Sequence, residues 1–233
     1  YKGIRGKMTV SVVIAAGGKG TRMGAGFNKV FMKLADEEVI LHTMRAFEAN
    51  KDVDEIIVVI GEDDKERVIN IAEAAHITKL SAVTAGGESR CRSVYNGIQL
   101  AKGDFIAIHD GARALIGQKE ISAVISDAKK YGAAALGVQC KDTLKSADEN
   151  GFIIGTIDRS RTYQIQTPQV FEKELILDAH KRAREENFEP TDDCALIEYY
   201  GGKIKITQGS YDNIKLTTPE DMFIGEEILK KVN

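Results

Sequence analysis

Between Thr9 and Ala16 the chain reads TVSVVIAA, a β-branched run too short for a helix and apolar at consecutive positions. A strand covered on both faces reads this way, whereas a strand with one wet face alternates. Val39–Asn50 follows a different rule: Ile40, Leu41, Met44 and Phe47 recur at helical spacing and form one apolar stripe. Glu55–Ile60 (EIIVVI) repeats the buried-strand pattern and stops at Gly61. Asp63–His76 predicts a helix with Val68, Ile71, Ala72 and Ala75 along one side. Ser89–Ala101 predicts another helix, Asp104–Asp110 a strand, Gln118–Tyr131 a helix and Ala133–Cys140 a strand. Strands and helices alternating in this way predict an α/β fold, a mostly parallel central sheet with helices on both faces.

The rhythm breaks after Cys140. Lys141–Arg161 turns polar, with KDTLK and FIIGTIDR on either side of the turn sequence SADENG, which predicts a β-hairpin arm protruding from the sheet. A helix over Glu172–Glu186, a short strand over Lys203–Thr207 and a closing helix over Pro219–Lys230 return to the α/β core. The expected organisation is one domain over residues 8–233 with the arm at about 141–161. YKGIRGK, residues 1–7, has no apolar periodicity and reads as a tail ahead of Met8, the expected natural start.

Composition narrows the partners. The 233 residues carry a net charge of −3, with 43% hydrophobic and 29% charged residues, the balance of an ordinary soluble protein. Such a chain has no global positive field for nucleic acid and no apolar run long enough for a membrane span. Cys91, Cys140 and Cys194 are few, odd in number and far apart, which predicts free thiols and a cytoplasmic location. The four histidines show no zinc-ligand spacing with cysteine.

Candidate chemistry centres on VVIAAGGKGTRMGAGFNKVF, Val12–Phe31. Glycines directly after a strand let backbone N–H groups approach an anion. Gly18, Gly20 and Gly24 are spaced too loosely for a dinucleotide-binding turn, and G-x-x-x-x-G-K-[ST] is absent. In a third reading Arg22 and Lys29 project over a triphosphate, where they would stabilise the charge that builds up during nucleotidyl transfer. A surface loop with solvated charges is the bland alternative.

AAGGKGTRMG…NKVF resembles the signature loop of the sugar-nucleotide pyrophosphorylase superfamily and, within it, the cytidylyltransferases. GGESRCRSV, HDGAR, KDT, DR…QTPQVF, TDD and DNIKLTTPED follow in order. Together they are similar to the 2-C-methyl-D-erythritol 4-phosphate cytidylyltransferase family of the non-mevalonate isoprenoid pathway. Ribitol-5-phosphate cytidylyltransferases are the nearest competitor, sharing the loop, an HD…R motif and QTPQ. The resemblance implies a Rossmann-like nucleotidyltransferase fold and transfer of CMP from CTP to a polyol phosphate, with release of pyrophosphate. The acceptor phosphate is itself the nucleophile and is ionised near neutral pH, so no Ser, Cys or general base is needed.

Residue by residue, the resemblance implies that Arg22 and Lys29 stabilise the transition state and that Ala16, Gly17 and Gly20 lie against CTP. Gly87, Glu88 and Ser93 match cytosine and ribose contacts, although Ser93 also suits a residue near a helix start. Asp110 ends a strand, where open α/β sheets place ligands, and suits Mg²⁺ shared with phosphate. Gly111 adjoins it. Asp212 is a second metal candidate that also reads as an ordinary turn residue. Arg113, Thr143, Arg159, Thr167, Thr191 and Lys215 match sugar-phosphate contacts; each threonine singly also suits a cap or a strand. His109 reads as a structural histidine. The family usually has D-A-A-R-P, and here Gly111 and Ala114 depart from it, which predicts a looser loop and a less firmly held Arg113. The resemblance also implies a homodimer that exchanges its arms, so that Thr143 and Arg159 serve the neighbouring site. A glycosyltransferase of the same fold would want an Asp-x-Asp motif, where HDGAR supplies one Asp. A non-catalytic nucleotide-binding module would not need Arg22, Lys29 and Asp110 together.

Overall fold

The structure is a computed structural model that describes residues 7–18 and 28–232. Arg22, Gly20 and Gly24 therefore lie outside the described residues, as does the expected tail apart from Lys7.

The first strand, β1 (Val10–Ala15), is followed by a small hairpin, β2 (Lys33–Leu34) and β3 (Glu37–Glu38), then by α1 (Val39–Glu48). Next come β4 (Glu55–Ile60), α2 (Lys65–Ala74), β5 (Leu80–Ala85), α3 (Arg90–Leu100), β6 (Phe105–Asp110), α4 (Gln118–Tyr131) and β7 (Ala133–Gln139). The arm holds β8 (Lys145–Ala147) and β9 (Ile153–Thr156), and β10 (Tyr163–Glu172), α5 (Lys173–Glu186), α6 (Asp193–Tyr199), β11 (Lys205–Gln208) and α7 (Pro219–Val232) complete the chain.

Seven strands form the central sheet in the order β11-β7-β10-β6-β1-β4-β5. All neighbours pair in parallel except β10, which runs antiparallel to both β6 and β7. Consecutive apolar residues of β1 reach opposite faces: Val12 and Ile14 join Met44, Phe47 and Val124 in one core, while Val13 joins Val94, Ile98 and Ile176 in the other. That is why β1 and β4 read as unbroken apolar runs rather than alternating ones. From β1 the chain builds outward to β4 and β5, then crosses to β6 on the other side of β1. The carboxyl ends of β1 and β6 thus diverge at a switch point, where open α/β sheets form a crevice.

Two strands departed from the sequence pattern. β5 is a half-buried edge strand with weak alternation. β10 runs through Pro168, a residue that ordinarily argues against a central strand; its ladder to β7 is interrupted between Ile165 and Gln169, which accommodates the missing donor.

Candidate active site

A cavity of about 420 Å³ opens at the switch point, lined by Ala16, Gly17, Lys29, Gly87, Glu88, Ser93, Arg90, Asp110 and Lys215, among others. Ala16 and Gly17 continue from the end of β1. Asn28 folds the far end of the glycine loop back onto the strand: its Nδ2 donates to the Ala16 carbonyl at 2.7 Å. The Asn28 side chain also accepts from Val30 N, capping the short 3₁₀ turn Lys29–Phe31 and setting Lys29 on the rim. Across the cavity, Ser89 caps α3. Ser93 Oγ accepts from Gly87 N at 3.0 Å and donates to the Ser89 carbonyl at 2.8 Å, so a hydroxyl in the first turn of the helix ties the Gly87 loop to the helix start.

Asp110 closes the floor. Its carboxylate meets Lys215 Nζ at 2.7 Å, Arg90 Nε at 3.5 Å and Arg113 Nε at 3.9 Å. Burial alone would raise its pKa; Lys215, then Arg90 and Arg113, outweigh burial and hold it at about 2. The group is therefore a permanent anion at neutral pH inside a ring of cations.

Behind Asp110 runs a chain of hydrogen bonds. Its backbone N–H donates to Thr167 Oγ at 3.0 Å, Thr167 Oγ pairs with His109 Nδ1 at 3.0 Å, and His109 Nε2 meets the Arg113 carbonyl at 3.1 Å. A carbonyl can only accept, so Nε2 carries the ring proton and the threonine hydroxyl donates to Nδ1. Burial keeps His109 neutral, with its pKa pushed down to about 4. This matches a structural histidine and commits the Thr167 hydroxyl to the scaffold, away from the cavity lining.

The Asp110–Arg113 loop is tight, which corrects the expectation drawn from Gly111 and Ala114. Gly111 N donates to the Ala15 carbonyl at 2.9 Å, and Thr43 Oγ donates to the Gly111 carbonyl at 3.0 Å. A Cβ on Gly111 would stand 3.1 Å from the Cβ of Ala16, so glycine here lets the loop lie close against β1. Ala114 is buried beside Leu34, Val39, Leu216 and Met222. Arg113 is held by its Nη1, which donates to the Asn213 carbonyl at 2.8 Å, while Asn213 Nδ2 donates to the Thr167 carbonyl at 3.0 Å. Packing and side-chain hydrogen bonds fix this loop without the family proline.

Besides Gly111, Arg113 and Thr167, which stand behind Asp110 rather than in the lining, four predicted residues are not brought to the cavity. Thr191 is exposed just ahead of α6 and Asp212 is exposed in a turn. Thr143 and Arg159 are exposed on the arm, where Arg159 Nη1 donates to the Lys141 carbonyl at 2.8 Å and ties the two ends of the arm together. The arm is less polar than its ends suggest: Phe152, Ile153 and Ile154 are 72%, 66% and 68% exposed.

Sequence reasoning missed Arg90 and Asp193. Arg90 Nη1 lies 2.8 Å from Asp193 Oδ2, and Asp193 is 1% exposed. Burial pushes the Asp193 carboxyl up and Arg90 pulls it back; Asp193, then Asp110, raise Arg90 in return against the effect of burial. Further back, Cys91 Sγ lies 3.4 Å from His180 Nδ1. Burial pushes that thiol up to about 11 and the imidazole down to about 4, so the pair is not an activated nucleophile.

An anionic floor ringed by cations, sharing a cavity with the Ala16–Gly18 backbone at a sheet switch point, defines a nucleotidyltransferase site. The chain matches the model of the IspD family, 2-C-methyl-D-erythritol 4-phosphate cytidylyltransferase, over residues 10–231. It is 46% identical over 227 residues to the 2-C-methyl-D-erythritol 4-phosphate cytidylyltransferase of Caldanaerobacter subterraneus subsp. tengcongensis, covering 96% of this chain and 100% of the relative. It is 43% identical to the protein of that name from Desulforamulus reducens, covering 96% and 97%. Among solved structures, 4-diphosphocytidyl-2C-methyl-D-erythritol synthase from Anaerococcus prevotii superposes with a TM-score of 0.87 at 28% identity, covering 96% of this chain and 97% of that one. The chain belongs to the 2-C-methyl-D-erythritol 4-phosphate cytidylyltransferase family.

Proposed function

We infer that this cleft transfers CMP from CTP to 2-C-methyl-D-erythritol 4-phosphate, giving 4-diphosphocytidyl-2-C-methyl-D-erythritol and pyrophosphate. The observation that carries the reading is the ionised Asp110 in its ring of Lys215, Arg90 and Arg113, in one cavity with Lys29 and the Ala16–Gly17 backbone. Ribitol 5-phosphate as acceptor is not favoured, since the relatives above carry the erythritol name.

An oxygen of the sugar phosphate attacks the α-phosphorus of CTP. A new P–O bond forms, the bond to the bridging oxygen breaks, and pyrophosphate leaves with the electron pair. The attacking oxygen is already anionic, so the protein's work is positioning and charge stabilisation. Lys29 and Arg22 serve the triphosphate; Gly87, Glu88 and Ser93 serve the nucleoside; Lys215 and Arg113 serve the sugar phosphate, with Thr191 at its edge. Gly111 keeps the loop against β1, and Thr167 holds Asp110 from behind.

Among the described residues no group of three His, Cys, Asp or Glu side chains converges. Asp110 fits Mg²⁺, which commonly takes one or two carboxylates and completes its shell with phosphate and water. Bound there, Mg²⁺ would neutralise phosphate charge. Asp212, exposed and outside the cavity lining, has no structural support as a second ligand.

The second copy of the chain is the proposed partner. The exposed Phe152, Ile153 and Ile154 need a cover, and Thr143 and Arg159 do not line their own cavity. Both facts support arm exchange in a homodimer. No helix among the described residues is long and apolar enough to cross a membrane, and the three free thiols fit a reducing cytoplasm.

The test is pyrophosphate release from each of the four nucleoside triphosphates with each polyol phosphate. CTP with the erythritol phosphate should turn over with Mg²⁺ and stop in excess chelator. Asp110→Asn should abolish turnover or weaken its metal dependence. Turnover with ribitol 5-phosphate alone would overturn the acceptor, and full activity in chelator would overturn the metal.

A further inference from the structure

Arg90 stands between two carboxylates and treats them unequally. It contacts the buried Asp193 at 2.8 Å and leans toward Asp110 at 3.5 Å. A guanidinium is permanently charged and prefers to close on a carboxylate through two parallel N–H groups. The carboxylate that holds it at 2.8 Å, Asp193, is outside the cavity lining.

Asp193 is pinned from both sides along the chain. Preceding it, Asp192 accepts from Ala195 N through Oδ1 and from Gln169 Nε2 through Oδ2, both at 2.8 Å. Following it, Cys194 N donates to Gln169 Oε1 at 3.0 Å. One β10 side chain, two residues beyond Thr167, therefore clamps the start of α6 to the sheet. The Asp193 carboxylate is left over from this clamp and faces Arg90. Its other titratable neighbour, His180, is 3.8 Å away and neutral, so it gives Asp193 no compensation. A buried carboxylate left uncompensated is costly, so Asp193 holds the guanidinium more firmly than the cleft-facing Asp110 does.

We propose that Asp193 is a positioning residue of the active site: it restrains Arg90 beside Asp110 and so keeps an Asp110 oxygen available to the metal–phosphate group. The inference rests on the reading of Asp110 given above. When Asp193 is neutralised, Arg90 closes on Asp110 and competes with the metal.

The test is CTP binding by calorimetry, with and without Mg²⁺ and without the sugar phosphate, so that no turnover occurs. The wild type should bind CTP more tightly with Mg²⁺, and Asp110→Asn should lose that gain; failure here overturns the reading of Asp110 and not the restraint. Asp193→Asn should lose about tenfold to a hundredfold of the metal-dependent gain, the range of hydrogen bonds to charged groups. The double variant Arg90→Gln/Asp193→Asn removes both the competing cation and its restraint; it should bind CTP more weakly overall, having lost a cavity cation, while the ratio of its affinities with and without Mg²⁺ returns to within about threefold of the wild-type ratio. Removing both members of a buried pair is far milder than removing one, so this variant carries the test even where Asp193→Asn does not fold. A purely structural role predicts no such recovery. An unchanged gain in folded Asp193→Asn, or a lost gain in the double variant, overturns the proposal.

Discussion

Gly97→Ala separates helix propensity from packing, and the structure decides which wins. Gly97 is fully within α3, where alanine would stabilise an isolated helix by about 1 kcal/mol. Here a Cβ would lie 2.5 Å from Val13 Cγ1 and 2.7 Å from Val59 Cγ2. Ordinary carbon–carbon contacts are about 3.5–4.0 Å, so the helix must lift by about 1 Å or two valines must leave their rotamers. Both valines are 0% exposed on adjacent strands β1 and β4, which leaves them little room. Overpacking of this kind costs about 1–3 kcal/mol, and two simultaneous clashes put Gly97 at the upper end. The net loss is about 2 kcal/mol, or a Tm lower by about 4–8 °C for a domain of this size. The effect should also reach the chemistry. Ser93 lies one turn upstream on the same helix and Arg90 starts it, so a lifted α3 moves the cleft wall and raises KM for CTP several-fold. Thermal unfolding and steady-state kinetics measure the two arms. A Tm equal to or above wild type would mean that propensity wins and that α3 does not sit tightly on the sheet.

Lys29→Ala and Arg22→Ala should each lower kcat at least about a hundredfold, the scale of losing one transition-state donor, with a smaller loss of CTP affinity; near-normal turnover in both removes their proposed roles. Arg159→Ala should raise KM for the sugar phosphate with little change for CTP, and mixing it with Lys29→Ala should restore activity, because one site of a mixed dimer keeps both residues. Subunit exchange without restored activity would place Arg159 within its own chain. Acid should destabilise the fold through His109 and His180, whose pKa is about 4 when folded against an ordinary 6.5. Their contribution is complete above pH 6.5 and is lost as pH falls toward 4, at most about 3 kcal/mol each, and proton uptake on unfolding at about pH 5 reads it directly.

The parallel core was legible because burial on both faces leaves a signature that survives without context. Glu55–Ile60 and Gln118–Tyr131 have the bounds that the apolar pattern predicts. β10 was not, because YQIQTPQVFE mixes polar residues with a proline, and its place between β6 and β7 comes from long-range pairing. The cavity residues that continue directly from strand ends, Ala16, Gly17 and Asp110, were equally readable. Arg90 and Asp193 were not: one is a helix-start arginine among several cations, the other is an acid in TDD, and 103 positions separate them. Spacing along a chain cannot reveal a pair that exists only where α3 and α6 converge. The loop departures misled for the opposite reason. Gly111 and Ala114 were judged by backbone freedom, whereas Ala16, Thr43 and the Leu34–Leu216 cluster hold that loop from outside it.

The chain is acidic overall, with a net charge of −3, yet its proposed ligands are two polyanions. Local arithmetic resolves the conflict. Asp110 and Asp193 contribute two negative charges around the cavity floor, while Arg90, Arg113 and Lys215 contribute three positive ones. Lys29 on the rim adds a fourth, and Glu88 in the lining adds a third negative charge. The cavity is therefore positive within a chain that is negative overall, and its pull on an anion reaches about a Debye length, roughly 8 Å at physiological salt. A floor made wholly of cations would bind triphosphate and pyrophosphate alike and would hold the product. Placing one anion, Asp110, among them weakens the floor's own hold on phosphate, and Mg²⁺, if held there, would supply the missing attraction by neutralising phosphate charge. Asp110 itself is held in place from behind by the hydrogen-bonded chain through Thr167 and His109.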